Sequence, residues 1–293
     1  MGIVLKNKLI ELEIEPPLQH YQGSRFDWTG KIVSLKYKDQ NLSSQEIAGA
    51  DKALPCGRGF YNEFGIKAPV GHDEIPIGAW FPKIGVGLLK KRAVDYDFTK
   101  DYEIRPASFT VGIESKQLSI VCKSDWCNGY AYVLKKKIQL LENGFKIHYH
   151  LENTGKKSIV TTEYVHNFLA LNQDEIGSHY QLQFPFNLQP TLFLETINPE
   201  QIVQIVTRQV NFKQTPSQPF FFSNLSGHQE VEAQWSLKNT QSKIGISETT
   251  DFRTRSIELW GCQHVISPEL YLNLNIQPGH FKAWSRTYTV FEL

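Results

Sequence analysis

The sequence holds no run of eighteen apolar residues, so no segment is long enough to cross a bilayer as a helix. The opening stretch Ile3-Val4-Leu5 is too short for the apolar core of a secretory signal. These two absences lead us to expect a soluble, cytoplasmic protein. An excess of one charge is missing as well: 31 Lys and Arg meet 30 Asp and Glu, net charge +1, and no basic block is longer than a triplet such as Lys135-Lys136-Lys137. A nucleic-acid backbone needs a continuous positive face, which this chain does not offer, and the lysine triplet reads as a solvated strand edge. Cysteine is scarce, and Cys56, Cys122, Cys127 and Cys262 lack any CxxC spacing, which argues against zinc and against a redox pair. HExxH, GxSxG and Walker motifs are absent. Lys83-Ile84-Gly85-Val86-Gly87 has two glycines but neither the third nor the following helix of a dinucleotide site. We expect no cofactor and no metal.

What is present is aromatic and β-forming. Apolar residues make up 41% of 293, with 18 Phe and 12 Tyr, enough to bury a large core. No segment keeps a 3.6-residue apolar period, whereas two-residue alternation recurs at roughly ten-residue spacing, as in a β-sandwich. The clearest hairpin is Tyr130 to Leu141 returning as Phe145 to Glu152, with Asn143-Gly144 predicting a type I′ turn. Between about Asn41 and Ile84 the pattern fails, and such long irregular connections usually carry function. A short helix is expected near Pro199 to Val206. All-β, in one domain spanning 1–293, is the fold class that follows.

Candidate chemistry lies in three places. If Thr161 to Leu171 is a strand, Thr162, Tyr164, His166 and Phe168 share one face, so an imidazole stands between two aromatic rings. Desolvation there suits a proton carrier near neutral pH, and suits a packed structural histidine equally. Downstream, Ser267-Pro268-Glu269 leads into a leucine ladder from Leu270, which puts Glu269, Tyr271 and Asn273 on the opposite face near Trp260. Upstream, Arg25 in a glycine-flanked loop offers a planar fork of donors to sugar hydroxyls, or pairs with Asp27 or another acid. His148 and His150 also share a strand face, but no third ligand accompanies them.

The order and context of Gly23-Ser24-Arg25-Phe26, of Tyr164-Val165-His166-Asn167-Phe168 after Leu151-Glu152-Asn153-Thr154-Gly155, of Glu269, and of Pro278-Gly279-His280 with Trp284 through Phe291 resemble the aldose 1-epimerase (galactose mutarotase) family. The resemblance is thin but runs along nearly the whole chain. It implies a β-supersandwich whose broad concave sheet binds a hexose. It also implies that His166 is the general acid at the ring oxygen, Glu269 the general base at the anomeric hydroxyl, and Arg25 a sugar-orienting residue. His72 and Lys83 are the nearest candidates for the family's second sugar-contacting histidine, and Trp260 for a wall of the site. The run after the histidine departs from the family: Asn167-Phe168 follow it directly. A small-molecule sugar is the expected partner, with the protein a monomer or homodimer. The competing reading is a non-catalytic carbohydrate-binding sandwich in which Trp28, Trp80, Trp260 and Arg25 hold a glycan. Lys83, Lys90, Lys91 and Arg92 would supply a phosphate site if the sugar were phosphorylated.

Overall fold

Alternation at period two carries the longest strands. Along Tyr132–Leu141 and Gly144–Asn153, buried and part-exposed side chains alternate almost throughout, so one face of this hairpin lies on the core. The computed structural model describes residues 2–51 and 54–293, and nearly all its regular structure is antiparallel strand. One large sheet runs, in spatial order, Ile3–Lys6, Ile10–Glu15, Lys31–Tyr37, Phe60–Phe64, Ile159–Asn167 and Leu272–Ile276. The other has ten strands, with Val231–Asn239, Ile244–Thr254, Phe281–Glu292, Gly144–Asn153 and Tyr132–Leu141 adjacent along its middle. Apolar side chains of both sheets form one core, in which the ring of Phe60 meets Phe145 at 5.1 Å and Tyr288 at 4.9 Å. This is the layered all-β architecture expected.

A four-stranded sheet, ordered Thr196–Ile197, Phe220–Phe222, Ile257–Cys262 and Val265–Leu270, stands beside the first large sheet. Leu169 ties the two together by bridging both Ser43 and Ile266. That junction brings the end of the Ile159–Asn167 strand against the Val265–Leu270 strand. No helix among the described residues is long and apolar enough to cross a membrane.

The hairpin loop is Glu142-Asn143, one residue earlier than the Asn-Gly turn expected, and neither residue has the positive φ that a type I′ turn requires. Gly144 answers to its neighbour instead: a Cβ there would stand 1.9 Å from the Tyr288 carbonyl oxygen. The lysine triplet is no edge, because its strand is paired on both sides, and Lys136 turns inward to meet Asp27 Oδ2 at 3.2 Å. In place of a helix near Pro199 to Val206 there is a turn and then the Val203–Val206 strand. Asn198 holds the turn, its side chain donating to the Val203 carbonyl at 3.0 Å while its own carbonyl accepts from Gln201 N–H at 3.0 Å. The irregular stretch between Asn41 and Ile84 contains a central strand, Phe60–Phe64, buried along its whole length.

Candidate active site

Tyr164, His166 and Phe168 leave their segment on one face, as period two demands, while Glu163, Val165 and Asn167 turn to the core. The His166 ring lies parallel to Phe168, 4.0 Å between centroids and 7° between planes, with the edge of Trp260 at 5.3 Å and Phe26 at 6.2 Å. Burial among these rings, and then the nearby positive charge of Arg25, hold the imidazole well below the usual histidine range. Its Nδ1 is buried without a hydrogen-bond partner.

Glu269 reaches the same place from the four-stranded sheet. The Val265–Leu270 strand pairs with Ile257–Cys262, so Glu269 stands opposite Glu258. The predicted single leucine ladder is two strands in two sheets, broken at Tyr271, and both Glu269 and Tyr271 are buried on the His166 side rather than exposed. Glu269 Oε1 is 3.3 Å from His166 Nε2 and accepts from Ser267 Oγ at 3.1 Å, while Oε2 is within hydrogen-bond distance of the Tyr271 hydroxyl oxygen, at 3.2 Å. Burial, reinforced by the charge of Glu258, pushes the Glu269 carboxyl up to about 8 against the opposing pull of Arg25, Ser267 and Tyr271. At neutral pH the resting proton therefore sits on Glu269, with His166 neutral. That is the reverse of the resting arrangement implied by an acid histidine and a basic glutamate.

Arg25 lies between the rings of Phe26 and Phe98, its guanidinium carbon 4.4 and 4.6 Å from their centroids. It pairs with neither Asp27 nor an open space: Nε meets Glu63 Oε2 at 3.0 Å, Nη1 meets Glu46 Oε1 at 3.0 Å, and Nη2 donates to Tyr164 at 3.3 Å. Glu63 is the hub. It is fully buried, also accepts from the Tyr164 hydroxyl at 2.7 Å, and holds Lys83 Nζ at 3.3 Å.

The structure thus gathers His166, Glu269, Arg25 and Trp260 on the wall of one cavity of about 390 Å³, together with Glu46, Lys67, Tyr164, Glu258 and Tyr271. That volume is within the range of small-molecule sites. Lys83 does not line this cavity; it is buried, with Nζ 3.3 Å from Glu63 Oε1. His72 is set apart, buried with Nδ1 2.7 Å from Asp73 and its ring against Phe81 and Tyr96. Trp28 is buried in the core and Trp80 lies under the Arg105 guanidinium at 4.0 Å, which leaves only Trp260 of the three candidate stacking platforms at the cavity. The supposed phosphate cluster is dispersed, with Lys90 on Glu103 at 2.8 Å, Lys91 on the His72 carbonyl and Arg92 on the Asp101 carbonyl. Among the described residues no group of three or more His, Cys, Asp or Glu side chains is placed to hold a metal ion; His150 packs on Phe281 at 4.5 Å.

Sequence reasoning missed Glu63, Glu46 and Glu258 entirely. Glu63 sits in a strand that is buried on both faces and so shows no alternation to reveal it.

No family model matches this sequence, and no curated protein sequence matches it closely. Solved structures do match in fold. A galactose mutarotase related enzyme from Lactobacillus acidophilus is 11% identical, with 100% of this chain and 98% of that one covered at a TM-score of 0.60. A galactose mutarotase-like protein from Lactobacillus casei is 14% identical, with 99% and 100% covered at 0.61. A GalM/aldose epimerase homologue from C. elegans is 10% identical, with 100% and 99% covered at 0.55. The chain has the galactose mutarotase-like fold along its whole length.

Proposed function

We propose that this cavity interconverts the anomers of an aldose by moving protons between the sugar, His166 and Glu269, and that the whole chain serves as one such unit. One observation carries the reading: a buried imidazole and a buried carboxyl held 3.3 Å apart on the wall of a small-molecule cavity. Opening a cyclic hemiacetal needs one proton delivered to the ring oxygen and one removed from the anomeric hydroxyl. Those two oxygens are bonded to the same carbon, so the acid and the base must be close neighbours, as these groups are. The pair holds one proton at neutral pH, so one member is an acid and the other a base at the start of every turnover. Rotation of the freed aldehyde followed by reclosure returns both protons, each group reversing its role. An aromatic wall at Trp260 and the N–H groups of Arg25 left over from Glu63, Glu46 and Tyr164 suit the binding of a hydroxylated ring.

The test is magnetisation-exchange NMR on the anomeric protons of a panel of aldoses, with and without the protein. Faster exchange for at least one sugar is expected; unchanged exchange for all overturns the proposal. The pH dependence of kcat/KM follows from the two shifts. Activity should fall above about pH 8, as Glu269 loses its proton, and should fall on the acid side only well below the usual histidine range, as His166 gains a second one. A rate that keeps rising beyond pH 9 would exclude a protonated Glu269 as the working form.

A further inference from the structure

The phenol of Tyr271 stands between two carboxyl groups, its oxygen 3.0 Å from Glu258 Oε2 and 3.2 Å from Glu269 Oε2. A phenol has one proton to donate. Both contacts are hydrogen bonds only if one carboxyl is itself protonated and donates to the phenol oxygen while the other accepts from it. Two ionised carboxylates facing each other across the Ile257–Cys262 and Val265–Leu270 pair would also repel strongly at this depth. We propose that Glu258 and Glu269 share a single proton through Tyr271, which makes Glu258 a positioning residue that sets whether Glu269 gives or takes a proton.

This inference rests on the acid–base reading of His166 and Glu269. In one arrangement Glu269 O–H donates to the Tyr271 oxygen and Tyr271 O–H donates to the Glu258 carboxylate. In the other, the Glu269 proton has passed to the phenol oxygen and the phenol proton to Glu258. Only O–H bonds break and form, the proton count is unchanged, and nothing is oxidised or reduced. Glu258 and Tyr271 also line an adjoining cavity of about 430 Å³, so the chain runs from the His166 cavity to a second one.

His166 and Tyr164 face this chain from the Ile159–Asn167 strand, and Arg25 comes with Glu46 and Glu63. Glu195 also lines the cavity, and Lys67 Nζ is 3.9 Å from Glu258 Oε1. The Lys67 side chain is 84% exposed, so its hold on Glu258 is slight.

Carbon-13 NMR of glutamate-labelled protein, with Glu258 and Glu269 assigned through E258Q and E269Q, reads the proton on each carboxyl without any turnover. In the native protein each of the two signals should show an inflection where the other titrates. In Glu258→Gln the Glu269 titration should move down by about one pH unit or more, with the alkaline limb of kcat/KM moving alongside it. In Tyr271→Phe the cross-inflections should shrink to what direct repulsion across the strand pair sustains, which covers the case of a Glu258 variant that does not fold. Independent single-step titrations in the native protein, or an unmoved Glu269 in Glu258→Gln, overturn the inference. Either result with sugar exchange still accelerated removes the shared proton alone, whereas exchange that is never accelerated removes the acid–base reading.

Discussion

Glu269→Gln is expected to lower anomer interconversion by about 10²–10⁴-fold while leaving the protein folded. The amide matches the protonated carboxyl in shape, and its oxygen can still accept from Ser267 while its NH₂ donates to the Tyr271 oxygen in place of the acid O–H. What it cannot do is pass a proton on. His166→Gln should cost a similar factor, and the double variant little more than either single one, because two groups that act as a unit are not additive. Full turnover in both single variants would sink the assignment. Stability supplies a second reading of the same group. Burial raises the Glu269 carboxyl from its ordinary 4.5 to about 8, so the folded protein holds a proton that the unfolded chain has released. The contribution is therefore fully present below about 4.5, shrinks as pH rises, and is lost above about 8. Glu269→Gln has no proton to release, so its melting temperature should decline less than that of the native protein over this range.

The parts of this site that local pattern determines were open to reading from the sequence. Period two places Tyr164, His166 and Phe168 on one face whatever their strand pairs with, whereas Tyr271 meets Glu269 at the break between two strands of different sheets. The meeting of His166 with Glu269, about a hundred residues on, depends on how the four-stranded sheet joins the large one. That junction is a pair of bridges at Leu169 whose register no local signal reveals. Glu63 stayed hidden for a different reason. Phe60-Tyr61-Asn62-Glu63-Phe64 is covered on both faces, so a polar residue there looks like loop until Arg25 and Lys83 are seen on either side of it. Lys136 misled in the opposite sense, since three successive lysines suggest water and its partner Asp27 is 109 residues away. Buried polar pairs between distant segments were thus the least legible layer, although half of the candidate site is made of them.

The largest effect on stability is expected behind the site rather than in it. Arg286 is fully buried, and its guanidinium meets Glu163 twice, Nε to Oε1 at 3.2 Å and Nη2 to Oε2 at 2.7 Å. It also meets Glu248 Oε1 at 2.6 Å and the Leu270 carbonyl at 2.8 Å. Each carboxylate has a further donor: Asn62 donates to Glu163 Oε1 at 2.7 Å, and Trp235 donates to Glu248 Oε2 at 2.7 Å. One cation from the ten-stranded sheet thereby bridges a carboxylate of its own sheet and one of the facing sheet, and burial, with the charge of Glu163, raises the Glu248 carboxyl above its ordinary value. Arg286→Met fills much of the same volume but strands two buried negative charges, and should destabilise the protein by about 3–5 kcal/mol in chemical denaturation. Arg286→Lys should recover little, because an ammonium cannot grip Glu163 with two parallel bonds. The loss in Arg286→Met should shrink as pH falls, because protonation removes the very charges that are left unpaired. It should also be largely relieved when Glu163 and Glu248 are both changed to Gln in the same chain. A loss below about 1 kcal/mol at neutral pH would mean that water or a local shift satisfies these carboxylates. Since Glu163 and His166 belong to one strand, the same variant should also lower anomer exchange, through the placement of the imidazole against Glu269 rather than through any contact with sugar.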